Sequence, residues 1–373
     1  MTMRAESVVT PVAAARPLVL GPSLTRTGVV LGFGAVLAVV AMAAAVTAGS
    51  VGIDLGDTAG ILGRRLLGLP LPVTWPASSE TIIVDLRLPR VLTAMLVGGG
   101  LAIAGTVFQG LLRNPLADPY IIGTAAGASL GATLGIVAPL IVPALAVGAG
   151  TAWLGIGVVQ LLAFVGGLGT VLLVYAIARG GGRVPVVTLL LTGYAVSAVL
   201  AAGVALLMFF SGRVLGAIFG WLMGSLAGAS WSQLAFAAPL VGIGFVLLLV
   251  RWRRLNVLLL GDAQAAHLGV DVEREKLILT ALASLTTSAA VAISGTIGFV
   301  GLVVPHVLRL ATGPDHRLLL PASALYGASL LTLADLGARL AGGIPVGIVT
   351  ALLGAPFFVW LLRRSRSVRA GLS

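Results

Sequence analysis

An all-α polytopic membrane protein is the fold class this sequence predicts, and three observations predict it. Hydrophobic residues fill 58% of the 373 positions and charged ones only 9%, against about 25% charged in an ordinary soluble domain. Mean hydropathy is +1.12, which leaves more apolar surface than one water-facing core can bury. The charges also punctuate the chain, leaving apolar runs close to the roughly 20 residues a helix needs to cross a bilayer.

Runs of that length, bounded by charge or by Pro and Gly, predict spans over 28–48, 91–112, 119–142, 153–178, 185–210, 233–250, 277–297, 318–338 and 344–362. Residues 298–310 are apolar but short. Counted as a broken span, they bring the total to about ten and put both termini on one side. Residues 214–226 read as a short helix lying at the surface. Residues 1–27 are polar with scattered Pro and Arg, the composition of a disordered lead. The apolar run that follows is longer than a signal-peptide core, so it is read as a retained first span. The membrane domain is therefore expected over 28–365, with a tail at 366–373. Between the first two spans, DLGDTAGILGRRLLG predicts a short amphipathic helix.

Orientation follows from the basic residues. The net charge is +11, but Lys and Arg sit between spans and form no single basic face, so the positive-inside bias explains the excess without a nucleic-acid partner. With both termini inside, only Arg64, Arg65, Arg87, Arg90, Arg213 and Arg339 of the 23 Lys and Arg lie outside. A faint echo of Ala102–Thr106 at Ala292–Thr296, and of Ala126–Ser129 at Tyr326–Ser329, runs in opposite directions across the membrane, as an inverted repeat would.

The chain has no cysteine, which excludes disulfides and thiolate chemistry. GASLG at 127–131 matches G-x-S-x-G only formally, because that motif works at a strand-to-helix turn. H-E-x-x-H and the phosphate-cradling G-x-x-x-x-G-K-[ST] are both missing, and Lys276 is the only lysine. No catalytic residue, metal site or cofactor is expected. His267, His306 and His316 are isolated in sequence and read as solvated or locally bonded. Asp335 and Arg339 are spaced i, i+4, as for a structural ion pair.

Two segments carry most of the remaining signal. LRLPRVLTAMLVGGGLAIAGTVFQGLLRNPLADPYIIGTAAGASLGA at 86–132 is a basic lip, a glycine-rich span suited to close helix contact, and a tight break in which Asp118 is placed to cap the next helix with Pro119 at its first position. NVLLLGDAQAAHLGV at 256–270 lies inside, between Arg251–Arg254 and Lys276. Gly261 and Gly269 break it into short turns with leucines on show, either a knob for a groove on another protein or a loop on lipid headgroups.

Together with SGTIGFVGLVVPHVLRLATGPDHRLLLPASALYGAS at 294–329, LADLGARL at 333–340 and PVGIVTALLGAPFFVWLL at 345–362, these segments resemble the FecCD/BtuC-like family. Its members are permease subunits of type II ABC importers for iron chelates, haem or corrinoids, and the resemblance runs over about 28–365. It implies a homodimer in the cytoplasmic membrane, two ATPase subunits beneath it and an extracytoplasmic substrate-binding protein above it. It assigns ATPase coupling to Leu260, Gly261, Asp262, Ala265, Leu268 and Gly269, and binding-protein docking to Arg87, Arg90 and Arg339. It puts a cytoplasmic gate at Val186 and Val187, where hydrophobic closure by dewetting is available. An iron–siderophore is the first expected cargo, with corrinoid or haem as the alternative. A secondary transporter would instead need membrane-embedded proton carriers, and Asp335 is the only acid within the confident spans.

Overall fold

The computed structural model describes residues 24–49, 51–141, 157–180 and 184–370. Most of the expected lead, residues 142–156 with the last residue of the span expected over 119–142 and the first four of that expected over 153–178, residues 181–183 and the last three residues of the expected tail lie outside them. The chain folds into helices α1 (Leu24–Thr47), α2 (Leu55–Leu67), α3 (Ala77–Leu111), α4 (Thr124–Ile141), α5 (Val158–Ala178), α6 (Val186–Phe210), α7 (Leu215–Leu222) and α8 (Trp231–Val250). Two short helices follow, α9 (Trp252–Leu258) and α10 (Asp262–His267). The last four are α11 (Val272–Ser294), α12 (Val300–Thr312), α13 (His316–Leu340) and α14 (Val346–Ala370). Among the described residues, 7 helices are long and apolar enough to cross a membrane; Thr124–Leu140, Val300–Thr312 and Val346–Trp360 are shorter.

Helix α3 is the hub. It packs against α13, α11, α12 and α8, and 83% of its most apolar window is buried. Small residues allow this. A Cβ on Gly98 would lie 2.2 Å from the Gly327 carbonyl oxygen of α13, and one on Gly105 would lie 1.7 Å from that of Gly301 on α12, so the backbones approach where larger side chains would hold them apart. The first turns of α3 widen into a π segment over Ile82–Arg87, which carries the chain from the short entry helix into the long span.

The basic end of the bundle carries Leu24, Arg113, Arg251 and His316; the far end carries Thr47, Arg87, Trp231 and Leu340. Helix α2 forms where the amphipathic segment predicts it, capped by Asp54, whose carboxylate accepts the Gly56 N–H, and closed by Gly68 at φ +66.

Three sequence expectations change. The helix after NPLADP starts at Thr124, not at Pro119. Asp118 still accepts the Tyr120 N–H at 2.8 Å, but it caps a turn whose Pro119 packs against Gly301 of α12 and whose Gly123 faces Thr170 of α5 and Ser197 of α6. The span expected over 277–297 ends at Ser294, since Gly295 takes φ +68. The two echo copies therefore differ: Ala102–Thr106 is continuous helix and Ala292–Thr296 spans a helix end.

Side chains from α3 and the turn after it satisfy backbone groups at the break between α11 and α12 and just beyond it. The Tyr120 hydroxyl donates to the Ile297 carbonyl at 3.0 Å and accepts the Ile297 N–H at 3.2 Å. Gln109 donates to the Leu302 carbonyl at 3.0 Å. Irregular backbone between membrane helices is tolerated where protein groups satisfy it in this way.

Candidate functional site

At the basic end, α9, α10 and the turns around them form a compact knob. Leu255, Leu258, Ala265 and Val270 point inward and are buried. Leu260 and Leu268 point outward, 56% and 62% exposed. The two glycines set this alternation. Gly261 at φ +107 reverses the chain into α10, and Gly269 at φ +78 reverses it out towards α11, a region that L side chains rarely adopt. Asp271 then caps α11 by accepting the Arg274 N–H.

Polar contacts fasten the knob to the bundle. Asp262 accepts from Lys276 at 2.6 Å, and Arg113 stands 3.8 Å from its other oxygen. Arg251 is bidentate to Glu275 at 2.7 and 2.8 Å. The Asn256 side-chain oxygen accepts the backbone N–H of His316 at 2.9 Å and faces its Nδ1 at 2.8 Å, while its amide donates to Asp315 at 2.8 Å. His316 is thus fully buried rather than solvated, locked between α9 and α3, where it packs on Gly110. His306 is also buried and bonds the Pro115 carbonyl; His267 is exposed. His316 and His306 are packing elements of the basic end, a role that depends on partners distant in sequence. Among the described residues, no group of three or more acids and histidines could hold a metal ion.

The segment expected to form a gate opens α6. Val187 is 67% exposed, and Val186 is half-buried against the inner core cluster. Val184, just before them, donates its N–H to Glu273 at 2.9 Å.

At the far end, the three expected docking arginines converge on one another, and each has a partner within the chain. Arg87 is only 6% exposed. It donates to the carbonyls of Val46 at 2.9 Å, Thr47 at 2.6 Å and Val51. Arg339 donates to the carbonyls of Ala45 at 2.9 Å and Ala48 at 3.4 Å. Helix α1 has no basic residue in its last turn, so two arginines from other helices satisfy its orphan carbonyls and the negative end of its dipole. Arg90 forks onto Asp335 at 2.8 to 3.2 Å. Arg339 reaches the same carboxylate at 3.2 Å, giving the i, i+4 pair that the spacing predicts. One buried acid and three arginines leave the cluster net positive, and all three arginines line a pocket of about 610 Å³ with Gly342 and Gly343. The outside arginine Arg65, which has no docking role in the sequence reading, pairs with Glu80.

Comparison with known proteins covers the whole of this architecture. The FecCD transport family model matches residues 36–364. The cobalamin import system permease protein BtuC of Halobacterium salinarum is 47% identical over 302 residues, covering 81% of this chain and 78% of that protein. The hemin transport system permease protein HmuU of Yersinia pestis is 41% identical, covering 82% of this chain and 91% of its own. The Fe(3+) dicitrate transport system permease protein FecD of Escherichia coli is 42% identical, covering 83% and 97%. A solved metal-chelate type ABC transporter in an inward-facing conformation superimposes with a TM-score of 0.75 at 33% identity, over 90% of this chain and 99% of its own. The helical bundle, its glycine-packed hub and its helical spans are thus those of a multi-pass membrane permease, and the chain belongs to the FecCD transport family.

Proposed function

We infer that this chain is the membrane-spanning subunit of an ABC importer, working as a homodimer with its basic end in the cytoplasm and carrying an iron–siderophore complex by alternating access. The knob over 256–270 carries this reading. It presents Leu260 and Leu268 to solvent from a base fastened by buried leucines and ion pairs, which is how a rigid element offers apolar anchors to a groove. A pair of ATPase subunits docks there, and Ala265 and the two glycines hold the anchors in place. At the far end, the positively charged pocket receives a carboxylate of the substrate-binding protein. Arg90, with a 19% exposed side chain, is the most accessible of the three arginines, and a planar guanidinium suits bidentate capture.

The homodimer contact is drawn from α6. Only 11% of its most apolar window is buried, and Tyr194, Phe209 and Phe210 stand out from it. Facing a second copy, Val186 and Val187 close the cytoplasmic end of the pathway. A corrinoid is the second reading for the cargo, favoured by the 47% identity to a cobalamin permease. Uptake decides between them. Proteoliposomes holding the chain with its cognate ATPase and binding protein are expected to accumulate a labelled ferric hydroxamate. Preferential accumulation of cyanocobalamin or haemin reassigns the cargo, and ATP-independent uptake rejects the importer reading.

A further inference from the structure

Between the knob and the gate segment lies a set of charges that joins Asp262 of the knob to the entry of α6. Lys276 is the chain's single lysine, and its side chain is only 7% exposed. Its ammonium is 2.6 Å from Asp262 Oδ2 on α10 and 3.7 Å from Glu273 Oε1 one turn earlier on α11. The other oxygen of Glu273 accepts the Val184 N–H at 2.9 Å, at the entry to α6. The Tyr175 hydroxyl at the end of α5 donates to the Glu273 carbonyl at 3.3 Å. Arg113, on the α3–α4 turn, completes the set at 3.8 Å from Asp262 Oδ1.

Two acids and two bases balance, so the cluster carries no net charge. An ammonium this enclosed is kept only where it is paired, and here the pairing spans three separate elements. Among the described residues, this is the one unbroken run of polar contacts from the knob to the backbone beside Val186. It is also short. Three contacts connect Asp262 on α10 with Val184, hydrogen bonds at 2.6 and 2.9 Å at the two ends and an ion pair at 3.7 Å between them.

We propose that Lys276 and Glu273 are positioning residues that transmit displacement of the knob to the Val184 backbone at the entry to α6, and so set the gate by the state of the ATPase. This rests on reading 256–270 as the ATPase contact and Val186 and Val187 as the gate. When α10 is pushed, Asp262 moves Lys276, the first turn of α11 tilts with it, and Glu273 drags the Val184 backbone at the foot of α6. Packing alone would transmit the same push diffusely. The ionic run gives it one address.

The natural absence of cysteine makes the test direct. Thr188 is exposed and adjoins the gate, so Thr188→Cys is the only thiol and reports the opening of α6 through its rate of reaction with a soluble maleimide. In the full complex with the cognate ATPase, that rate is expected to change with ATP by about tenfold, the middle of the usual range for coupled sites. In the Thr188→Cys background, Lys276→Met and Glu273→Ala should each abolish the ATP-dependent change. In Glu273→Ala, which leaves the Lys276–Asp262 pair holding the knob, ATPase co-purification and basal ATP hydrolysis should stay within about twofold of the parent. Lys276→Arg should restore the response. The proposal is overturned if the ATP-dependent change survives in Lys276→Met and Glu273→Ala. It is equally overturned if those variants lose the response only together with ATPase binding and thermal stability, which is what a purely structural cluster would do. Failure of the Thr188→Cys parent to bind the ATPase at all would defeat the importer reading as well, and it would be seen before any relay variant was made.

Discussion

The two ends of this bundle use charge in opposite ways. At the far end, the arginines that look most available in the sequence turn inward. Arg87 and Arg339 satisfy the last carbonyls of α1, and Arg90 is clamped to Asp335. At the basic end, Lys276 is enclosed under a half-exposed Asp262, and Leu260 and Leu268 of the knob face out. A partner at the basic end therefore meets apolar anchors on a rigid base, whereas one at the far end meets the residual field of a pocket whose arginines already hold the scaffold together. Hot-spot energetics favour the first arrangement for tight, long-lived association and the second for fast, reversible encounter. That division suits a permanently bound ATPase and a binding protein that comes and goes.

The largest effect that would test the contrast lies at Asp335. Asp335→Ala removes the only carboxylate shared by Arg90 and Arg339 and leaves two guanidiniums in a cluster where the acid is 1% exposed. Breaking a buried pair from one side costs about 3–5 kcal/mol, and thermal unfolding of the purified chain measures it. A shift no larger than that of a surface variant would mean that the far-end arginines are not structural, and the contrast would collapse.

Next comes the double variant Leu260→Asp with Leu268→Asp. Both side chains are more than half exposed, so stability should move by no more than about 0.5 kcal/mol. Association with the ATPase should weaken by about 100-fold, the loss expected when hot-spot residues are removed. Co-purification and the Tm read the two quantities separately. A fall in Tm with intact association would place the leucines in the scaffold.

Arg87 and Arg90 then separate scaffold from docking within the far end itself. Arg87→Ala should cost about 2 kcal/mol, because it abandons carbonyls that a charged donor now satisfies. Arg90→Ala leaves Asp335 its second partner, Arg339, and should cost about 1 kcal/mol or less while slowing the association of the binding protein. Reversing all three charges together mixes the two effects, so only the single variants sharpen the comparison.

What the sequence revealed of all this follows the range of the interactions. Spans, the amphipathic α2 and the Asp335–Arg339 pair depend on residues within a few turns of one another, and they are legible. The fork of Arg90 onto Asp335 joins residues 245 positions apart, and the burial of His316 depends on Asn256, 60 positions earlier; no local spacing encodes either. The start of α4 was misplaced for the same reason. Asp118–Pro119 is a good helix opening by composition, but packing of Pro119 on Gly301 outweighs that preference. Of the candidate site, the knob was readable because its glycines and leucines are local signals. The Lys276–Glu273–Val184 run was not, since it depends on where α6 begins relative to α11.

The smallest expected effect is at Gly269, and it asks how rigid the knob must be. Its φ is +78 with nothing within 4 Å of an added Cβ, so Gly269→Ala pays only the left-handed backbone penalty, about 1 kcal/mol. Gly269→Asn should pay less, since Asn tolerates that region. Gly261 differs. At φ +107 and ψ 157 it occupies a region essentially closed to other residues, and an added Cβ would lie 3.1 Å from the Arg113 guanidinium. If geometry at the knob matters only through the placement of Leu268, then ATPase affinity should fall in the order Gly269→Asn, Gly269→Ala, Gly261→Ala, in step with the loss of Tm. Affinity that drops in Gly269→Ala without any change in Tm would mean that the partner reads the turn backbone itself, and the basic end would then rely on shape as much as on its exposed leucines.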